Sequence, residues 1–587
     1  MRLSESLKRN RTSGALGLDL PTGPAEDMAI PDLLNLQPKS AGNRDAVNSL
    51  LELAFLGRED AKGLERELGV FDSEGDGWNL ELFAEDLFVK ELIRGCYTIQ
   101  IEGLRFPVNH AFLYGVLSDP PSTLEAVQFR QDILRELESN ETLLRNSEKL
   151  YQELSQLLSM FKQPDHSAKL DINAFRLDLL KLAKWIIDWM VSGFADAKSG
   201  LNRLHQAGLE IQASNEYGIL ADLLDYQSRQ STLRVRVQMG ADGELKTLTI
   251  EDFKENTKNR FYRGPLRRFF DRLKLFVLYG YRLSQREMAS RLLREVYLKI
   301  SPSITPLVQL ISQLELYLAS LSLKRRVADD GLEMSLANFD DTQPLDLEQV
   351  FNPLLLDLDK PPVPCSIRSQ GNRAITIVTG PNSGGKTRLL QTVGLTQLLG
   401  QSGLYVPAAS ANLPMIRGMF VSLVESETAS QAEGRLGREL LRIRHLFEAM
   451  GSPSMVILDE LCSGTNPAEG TDIFSMVVRL LDRLQTVSFI STHFLDFARS
   501  LRDEQPVPSL EYLQVETQDD LTSTYQFQPG VAETSLAAAT ADRLGVSFDE
   551  LSTLIDQRRQ SRQASDEPTE EAATKDPAPA VAGANVS

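Results

Sequence analysis

A glycine-rich loop in the second half of the chain has the residue types needed to hold a polyphosphate. It closely follows the apolar run 374–378, and a segment with helical periodicity begins directly after it. Glycines allow successive backbone N–H groups to point at one anion, and the N-terminal end of a following helix adds a positive partial charge. An ordinary Gly-rich turn is the alternative for the motif alone. The sequence predicts a phosphate-binding loop for ATP or GTP, formed by Gly380, Pro381, Asn382, Ser383, Gly384, Gly385, Lys386 and Thr387.

Two further apolar runs end in side chains suited to phosphate hydrolysis. One ends in Asp459 and Glu460, and the other is followed by Thr492 and His493. Both are typical of buried parallel strands, whose carboxyl ends meet at the edge of an open sheet where nucleotides bind. We expect Thr387 and Asp459 to hold Mg²⁺, Asp459 through the ion's water shell, and Glu460 to polarise the attacking water. His493 would contact the γ-phosphate or that water, and a structural role for this histidine is the alternative.

Together with these strand ends, other short elements resemble the MutS family of ABC-class ATPases. The glycine loop is similar to that family's T-G-P-N-x-G-G-K-[ST], and 403–408 is similar to the G-x-x-V-P-A that ends its next helix. Gly464-Thr465 and the closing element at 528–530 with Ser535 fall in matching order. The resemblance covers about residues 350 to 545. It implies a P-loop α/β ATPase domain with a mostly parallel sheet, ATP and Mg²⁺ as cofactors, and a homodimer with composite sites.

The chain departs from the family at the composite-site motif S-T-F-x-x-E. The aligned stretch begins at Gly434 and keeps only the final residue of the motif, Glu439. In the family this motif is offered to the γ-phosphate by the opposite subunit. The resemblance therefore implies that Gly434 contributes a backbone N–H and that Arg435 or Arg438 supplies a compensating charge. A solvated helical face is the alternative, because Arg435, Arg438 and Arg442 recur at helical spacing.

Composition limits the class of protein. At 587 residues the chain is too long for one core, so about three or four domains are expected. Its cysteines are Cys96, Cys365 and Cys462, which lie far apart and form no C-x-x-C, so neither a disulfide framework nor a zinc site is indicated. No apolar run reaches membrane-spanning length, and the N-terminus lacks the apolar core of a secretion signal. We expect a cytoplasmic protein with no membrane partner.

One basic segment stands out from an acidic chain. The formal net charge of −19 argues against general nucleic-acid binding, which depends on Lys and Arg meeting phosphates. Between residues 254 and 274, however, eight basic residues face two acids, and aromatic residues lie among them. A solvated helix face is the alternative. As contacts to double-stranded or branched DNA we expect Lys258, Arg260, Arg263, Arg267 and Arg268.

Patterning along the chain predicts its organisation. Apolar residues at helical spacing indicate helices over 284–299 and 304–322, and alternation around a Gly/Asp turn predicts a β-hairpin between 233 and 250. The helical region looks like the core and lever of the MutS family, with a short clamp. The predicted order is a flexible segment (1–45), a mixed helical domain (46–125), a helical core and lever (126–345) with a clamp-like insertion (about 230–265), the ATPase domain (346–555) and a disordered tail (556–587).

A mismatch-reading module is not predicted in the first hundred residues. In the MutS family such a module carries an F-x-E motif whose Phe wedges into the duplex. Phe83-Ala84-Glu85 matches by letters, yet the surrounding stretch 80–87 has the pattern of an amphipathic helix with Phe83 in the core.

The sequence therefore predicts a MutS-related ATPase that hydrolyses ATP as a homodimer and couples this to DNA binding, in repair or recombination. Two alternatives stay open. One is an ABC-type mechanical or scaffold ATPase whose helical arms bind protein, which the acidic net charge favours. The other is a mismatch repair protein proper.

Overall fold

The structure is a computed structural model. It describes residues 30–40, 42–56, 63–71, 78–162, 172–228, 233–239, 245–253, 285–340, 342–358, 361–381, 384–423, 435–462, 466–518, 522–533, 546 and 548–565.

The first part of the chain is mainly helical. Its helices are α1 (Arg44–Leu56), α2 (Leu64–Leu68), α3 (Val89–Cys96), α4 (His110–Ser118), α5 (Leu124–Ser139), α6 (Glu141–Lys162), α7 (Ile172–Gly193), α8 (Asn202–Ala213), α9 (Asn215–Ser228) and α10 (Gln285–Asp329). Antiparallel hairpins are formed by strands β1 (Ile99–Ile101) and β2 (Leu104–Phe106), and by β3 (Leu233–Met239) and β4 (Leu245–Phe253). The second pair confirms the hairpin predicted between 233 and 250.

The second part mixes strands and helices. Its strands are β5 (Ser335–Leu336), β6 (Asn338–Phe339), β7 (Asp346–Val350), β8 (Cys365–Arg368), β9 (Ile375–Thr379), β10 (Tyr405–Val406), β11 (Ser410–Leu413), β12 (Met419–Ser422), β13 (Met455–Leu458), β14 (Val487–Ser491), β15 (Leu510–Thr517) and β16 (Ser523–Pro529). Its helices are α11 (Lys386–Gln401), α12 (Arg435–Ala449), α13 (Pro467–Leu484), α14 (Leu495–Glu504) and α15 (Phe548–Ser565). Short 3₁₀ turns lie at Leu80–Leu82 and Pro353–Leu355.

The main sheet is mixed and mostly parallel, in the order β12-β13-β14-β9-β15-β16. Every neighbouring pair is parallel except β15 with β16, which is antiparallel at the edge. Strands β9, β13 and β14 bury every residue, because their alternating side chains enter two separate cores. Ile457 packs in the core that contains α11, whereas Val456 and Leu458 pack in the core that contains α12, α13 and α14. The predicted strands leading to the glycine loop, the acid pair and His493 are all confirmed.

Helix α10 is one continuous helix, so the predicted interruption between 299 and 304 is wrong. Pro302 and Pro306 lie inside it, and each lacks the N–H that would bond the carbonyl four residues earlier. Side chains replace both donors. The Ser301 hydroxyl donates to the Leu298 carbonyl at 3.3 Å, and the Arg44 guanidinium donates to the Pro302 carbonyl at 2.8 Å. The helix therefore continues through both prolines.

The apolar stretch of α10 faces the protein interior. Residues Leu293–Asp329 are long and apolar enough to cross a membrane by length and composition. Within their most apolar window, however, 83% is buried inside the protein. This pattern is typical of the core helix of a folded domain.

The prediction that residues 1–45 lack a fold is wrong for 30–40. Leu33 and Leu34 are buried, and the Asp32 carboxylate accepts hydrogen bonds from the backbone of its own segment. Carbonyl groups of this segment accept hydrogen bonds from side chains of the helical region, namely Arg130, Arg203 and Tyr317. Polar composition suggested flexibility, but the backbone is held by distant donors. Residues 1–29 lie outside the described chain.

The structure differs from the predictions in two further places, the C-terminal helix and the stretch 80–87. Helix α15 continues to Ser565, past the predicted start of a disordered tail at 556. The stretch 80–87 forms a 3₁₀ turn followed by further turns rather than the predicted amphipathic helix. The predicted burial of Phe83 is confirmed, since its side chain is 1% exposed and contacts Trp78 edge-on at 5.6 Å between ring centroids.

The C-terminal end of α11 joins the helical region to the sheet. Arg130 of α5 is buried and donates to the Ser402 carbonyl at 3.1 Å. Gly403 follows with a φ of 79°, and a Cβ added there would lie 2.6 Å from the Cβ of Arg130. Gln401 also donates to the Pro121 carbonyl at 3.0 Å. The cationic guanidinium lies where the negative end of the helix dipole is stabilised by a positive charge.

Candidate active site

The glycine loop connects the buried strand β9 to helix α11. Gly380 has a φ of 134°, and a Cβ added there would lie 2.7 Å from the Val515 side chain. A Cβ on Gly384 would lie 2.9 Å from the same side chain. The close approach of β15 therefore requires glycine at both positions, quite apart from any ligand. Gly385, with a φ of 86°, precedes the first helical residue.

Lys386 is buried at the start of α11. Its Nζ donates to the carbonyls of Gly380 at 2.9 Å and Pro381 at 3.0 Å. Burial lowers the pKa of the Lys386 ammonium, and the nearby carboxylates of Glu460 and Asp459 oppose that shift. An anion at the loop would favour the charged form of this lysine, because it would add an opposite charge at a partly desolvated site.

The Asp459 carboxylate brings the ends of β13 and β14 to the start of α11. Thr387 Oγ1 donates to one carboxylate oxygen at 2.6 Å, and the Ser491 hydroxyl donates to the other. Ser491 Oγ also accepts from the backbone N–H of Glu460 at 2.8 Å. On the far side, the Asp459 N–H donates to the Ser422 carbonyl of β12 at 2.8 Å. Predicted site residues of two motifs, Thr387 and the acid pair, are thus joined by hydrogen bonds directly and through Ser491, which was not predicted.

The contact between Thr387 and Asp459 fits a magnesium site. A hydroxyl and a carboxylate are hard oxygen ligands, and Mg²⁺ commonly takes one or two protein ligands while keeping several waters. Within the described part of the chain, no group of three or more His, Cys, Asp or Glu side chains could hold a metal. The donor set at Thr387 therefore suits an ion that is bound largely by phosphate and water rather than by an all-protein cage.

The turn after the acid pair has an unusual backbone. Glu460 has a φ of 49° and Cys462 a φ of 61°, both in the left-handed region. Each such residue costs about 1–3 kcal/mol unless the surroundings enforce it. Here the Glu460 N–H is fixed by Ser491, and the Cys462 N–H donates to the Glu439 carboxylate of α12. The direction of the Glu460 side chain is therefore set by a turn that two neighbouring elements hold in place.

His493 lies at the same edge of the sheet, beyond the end of β14. The backbone N–H of its neighbour Thr492 donates to the Val378 carbonyl of β9 at 3.0 Å, which continues the parallel pairing. The imidazole is half-buried and packs against the Phe494 ring at 4.3 Å between centroids. Its position agrees with the predicted location, and its contact with phosphate or water stays a prediction.

An aromatic ring lies beside the glycine loop and was not predicted from the sequence. Tyr525 of β16 is 48% exposed and has a φ of 59°. Its ring Cδ1 lies 3.3 Å from the position that a Cβ on Gly385 would take. A flat, exposed aromatic surface at this place can stack on a nucleotide base. No local pattern indicates this position of Tyr525, because its segment has the pattern of an ordinary edge strand.

The sheet region of the chain resembles a known protein family. The MutS domain V family matches residues 376–551. The chain is related to the MutS family. It is 26% identical over 354 residues to the Endonuclease MutS2 of Fusobacterium nucleatum, covering 59% of this chain and 44% of that protein. It is 31% identical over 194 residues to the Endonuclease MutS2 of Agathobacter rectalis, covering 33% of this chain and 24% of that protein.

The matches to these MutS relatives are partial. The Endonuclease MutS2 of Thermus thermophilus is 28% identical over 272 residues, covering 46% of this chain and 35% of that protein. The chain thus spans less than half of the length of each of these curated relatives. The resemblance to the MutS family that the sequence predicted is confirmed.

Several residues predicted from the MutS resemblance cannot be placed. Asn382 and Ser383 of the glycine loop and Gly434 of the composite-site stretch lie outside the described residues. Arg435 begins α12, but its side chain is likewise outside the described set. The same holds for the predicted DNA contacts Lys258, Arg260, Arg263, Arg267 and Arg268.

One member of the arginine series on α12 does not belong to a solvated face. The Arg442 guanidinium lies 2.5 Å from the Asp86 carboxylate, and the Asp86 side chain is only 9% exposed. The alternative of a wholly solvated helical face is therefore wrong for Arg442. No local pattern indicates this ion pair, because its partners are 356 residues apart.

Proposed function

We propose that this chain is a MutS-related ATPase that binds ATP with Mg²⁺ and hydrolyses it. One observation carries the proposal: the hydrogen bonds that join Thr387, Asp459, Ser491 and Glu460, next to the buried Lys386. These residues come from three segments that lie far apart in the sequence: the glycine loop, the end of β13 and the end of β14. A cation, two oxygen ligands and a second carboxylate at one sheet edge are the parts that phosphoryl transfer to water needs.

Each residue has a defined task in this proposal. Lys386 exchanges its two loop carbonyls for the outer phosphate oxygens, with the loop N–H groups and the start of α11 binding the same anion. Thr387 and Asp459 hold Mg²⁺, which supplies positive charge to the phosphates when bound. Ser491 fixes both Asp459 and the Glu460 backbone. Glu460 orients the attacking water and accepts its proton, while Tyr525 stacks on the base.

We also propose that the working unit is a homodimer. This rests on the MutS resemblance, in which the stretch that aligns with Gly434 and Arg435 completes the site of the opposite subunit. His493 would contact the γ-phosphate or the attacking water within its own subunit. Preference for ATP over GTP likewise rests on the family.

DNA is the proposed partner of the helical region. The named relatives are MutS2 proteins, and the basic residues between 254 and 274 supply candidate phosphate contacts. Reading of single mismatches is not part of the proposal, because the Phe83 ring of the F-x-E match is buried and cannot enter a duplex. Endonuclease activity is not proposed for this chain, since it covers less than half of the length of each of these relatives.

The ATPase proposal is tested by separating binding from turnover. In Glu460→Gln, ATP should bind with wild-type affinity while kcat falls by about 100-fold or more, since only the water-orienting carboxylate is lost. Glu504→Gln, at the exposed end of α14, is the matched control and should turn over like wild type. Wild-type turnover in Glu460→Gln would contradict the assigned role.

The homodimer proposal is tested by the dependence of activity on protein concentration. Specific activity should rise with protein concentration where monomer and dimer coexist, and a flat profile there would contradict composite sites.

The DNA proposal is tested by salt dependence. Replacing Arg263, Arg267 and Arg268 with Glu should weaken binding to duplex and branched DNA and flatten the slope of log affinity against log salt by about 0.9 for each lost phosphate contact. Basal ATP hydrolysis should stay unchanged. Equal binding by wild type and the triple variant at every salt concentration would favour a protein partner instead.

A further inference from the structure

A buried carboxylate from the first hundred residues reaches into the sheet region. One oxygen of Asp86 accepts from the Leu423 N–H, just past the end of β12, at 2.8 Å. The other accepts from Arg442 in the middle of α12 at 2.5 Å. The Arg442 guanidinium also donates to the Val421 carbonyl at 3.2 Å. Asp86 therefore fixes where α12 lies against β12.

The same helix holds the turn that carries the proposed catalytic carboxylate of Glu460. Glu439 lies one turn before Arg442, so the two side chains leave α12 on the same side. The Glu439 carboxylate accepts the hydrogen bond of the Cys462 N–H. Through these two side chains, α12 connects Asp86 to the backbone that follows Glu460.

The direction of Glu460 depends on that backbone. Glu460 and Cys462 both have left-handed φ values, which residues with a Cβ adopt only when the surroundings enforce it. Ser491 anchors the turn at Glu460, and Glu439 anchors it at Cys462. If α12 shifts, the second anchor is lost, Cys462 can relax to an ordinary φ, and the Glu460 carboxylate turns away from its working direction.

We propose that Asp86 is a positioning residue for Glu460, acting through Arg442, α12 and Glu439. This inference rests on the proposed ATPase function and gives the N-terminal region control over turnover. The phosphate contacts within the same subunit do not pass through this path, because Lys386 and Thr387 belong to a different helix. Loss of the Asp86 contact therefore slows the chemical step and leaves the affinity for ATP in place.

Asp86→Asn tests the path, because an amide keeps an oxygen for the Leu423 N–H and removes the charge that faces Arg442. In the full-length protein we expect kcat to fall about ten-fold with the Kd for ATP within about two-fold of wild type. Arg442→Gln should behave alike, and Arg442→Lys should recover part of the lost kcat. The double variant Asp86→Asn with Glu439→Gln should be no slower than Glu439→Gln alone, since both act on one path.

The matched control is Arg444→Gln, which breaks an exposed ion pair with Glu448 on the same helix. It should leave kcat at the wild-type value. Additive effects in the double variant, or an equal loss of kcat in the control, would overturn the proposal, because either would indicate general weakening of α12. Melting temperatures of all variants identify one that loses activity by unfolding.

Hydrogen exchange of the peptide that contains 459–462 gives a readout without turnover. In Asp86→Asn and Arg442→Gln the amides of this turn should exchange about ten-fold faster than in wild type, and in Arg444→Gln they should not. Unchanged exchange overturns the path even if activity falls. If wild type shows no ATPase activity but the two variants still exchange faster than wild type, the path stands and the proposed function is contradicted. The two failures are therefore distinguishable.

Discussion

The two ends of helix α11 are built on different principles. Its N-terminal end is a glycine loop in which Lys386 and Thr387 make hydrogen bonds that, in the proposed function, give way to contacts with a phosphate and a metal ion. Its C-terminal end is buried against α5, where Arg130 and Gly403 pack at close range. One end is arranged to exchange partners, and the other is arranged to keep them. A single helix can thus bind a ligand at one end and remain fixed to the helical region at the other.

The largest expected effect is at the exchanging end. Lys386→Ala should weaken ATP binding about a thousand-fold, or about 4 kcal/mol, because a charged donor to phosphate contributes about 1.5–3 kcal/mol per hydrogen bond. The melting temperature without nucleotide should change little, since the variant also removes a buried ammonium. Titration with a fluorescent ATP analogue and thermal unfolding check the two halves of this prediction. Retained affinity would show that the loop does not bind the phosphates.

At the fixed end, Arg130→Met should lower the free energy of unfolding by about 3 kcal/mol. The variant keeps much of the side-chain volume but removes the donor to the carbonyls of Leu34 and Ser402, both of which are buried. Affinity for ATP should stay within about three-fold of wild type. Arg145→Met is the control, because its ion pair with Glu141 is mostly exposed and contributes little. Chemical denaturation of both variants measures the difference.

Gly403→Ala should cost about 2–3 kcal/mol of stability, against about 1 kcal/mol for Gly331→Ala. Both glycines have a left-handed φ, of 79° and 75° respectively. At Gly403 an added Cβ meets Arg130 at 2.6 Å, whereas at Gly331 nothing lies within 4 Å. The difference between the two variants isolates the close approach of α5. Equal losses of stability in the two variants would mean that α5 can move away from Gly403 at little cost.

The smallest effect should be at Tyr525, beside the exchanging end. Tyr525→Ala should weaken ATP binding by about five-fold, or about 1 kcal/mol, if the ring stacks on the base. Tyr525→Phe should bind like wild type, because stacking does not need the hydroxyl. Inorganic triphosphate, which has no base, should bind wild type and Tyr525→Ala equally, and a loss with triphosphate would exclude stacking.

The same contrast explains what could be predicted from the sequence. The glycine loop and the acid pair Asp459-Glu460 were predictable because each motif is local and lies at the end of a short apolar strand. Asp86 and Arg130 were not, because their partners are separated from them by hundreds of residues and polar spacing gives no sign of them. The residues around Leu33 were misjudged for the same reason, since donors elsewhere in the chain hold that segment.

The prolines of α10 show a further limit of local reasoning. Pro302 and Pro306 each remove a backbone donor from the helix. No feature of the flanking sequence indicates that Arg44, 258 residues away, donates to the carbonyl of Pro302 instead. Composition described the local preference correctly, but tertiary contacts decided the outcome.

The prolines also give α10 a direction of bending. A helix of 45 residues is about 68 Å long and is ordinarily equally stiff in every plane. Here the backbone bonds missing at the carbonyls of Leu298 and Pro302 lie one turn apart, so they weaken a single face of the rod. Force applied to the far end of α10 should open that face first and stretch the hydrogen bond between Arg44 and the Pro302 carbonyl. Bending of α10 should therefore be easier in one plane than in the others.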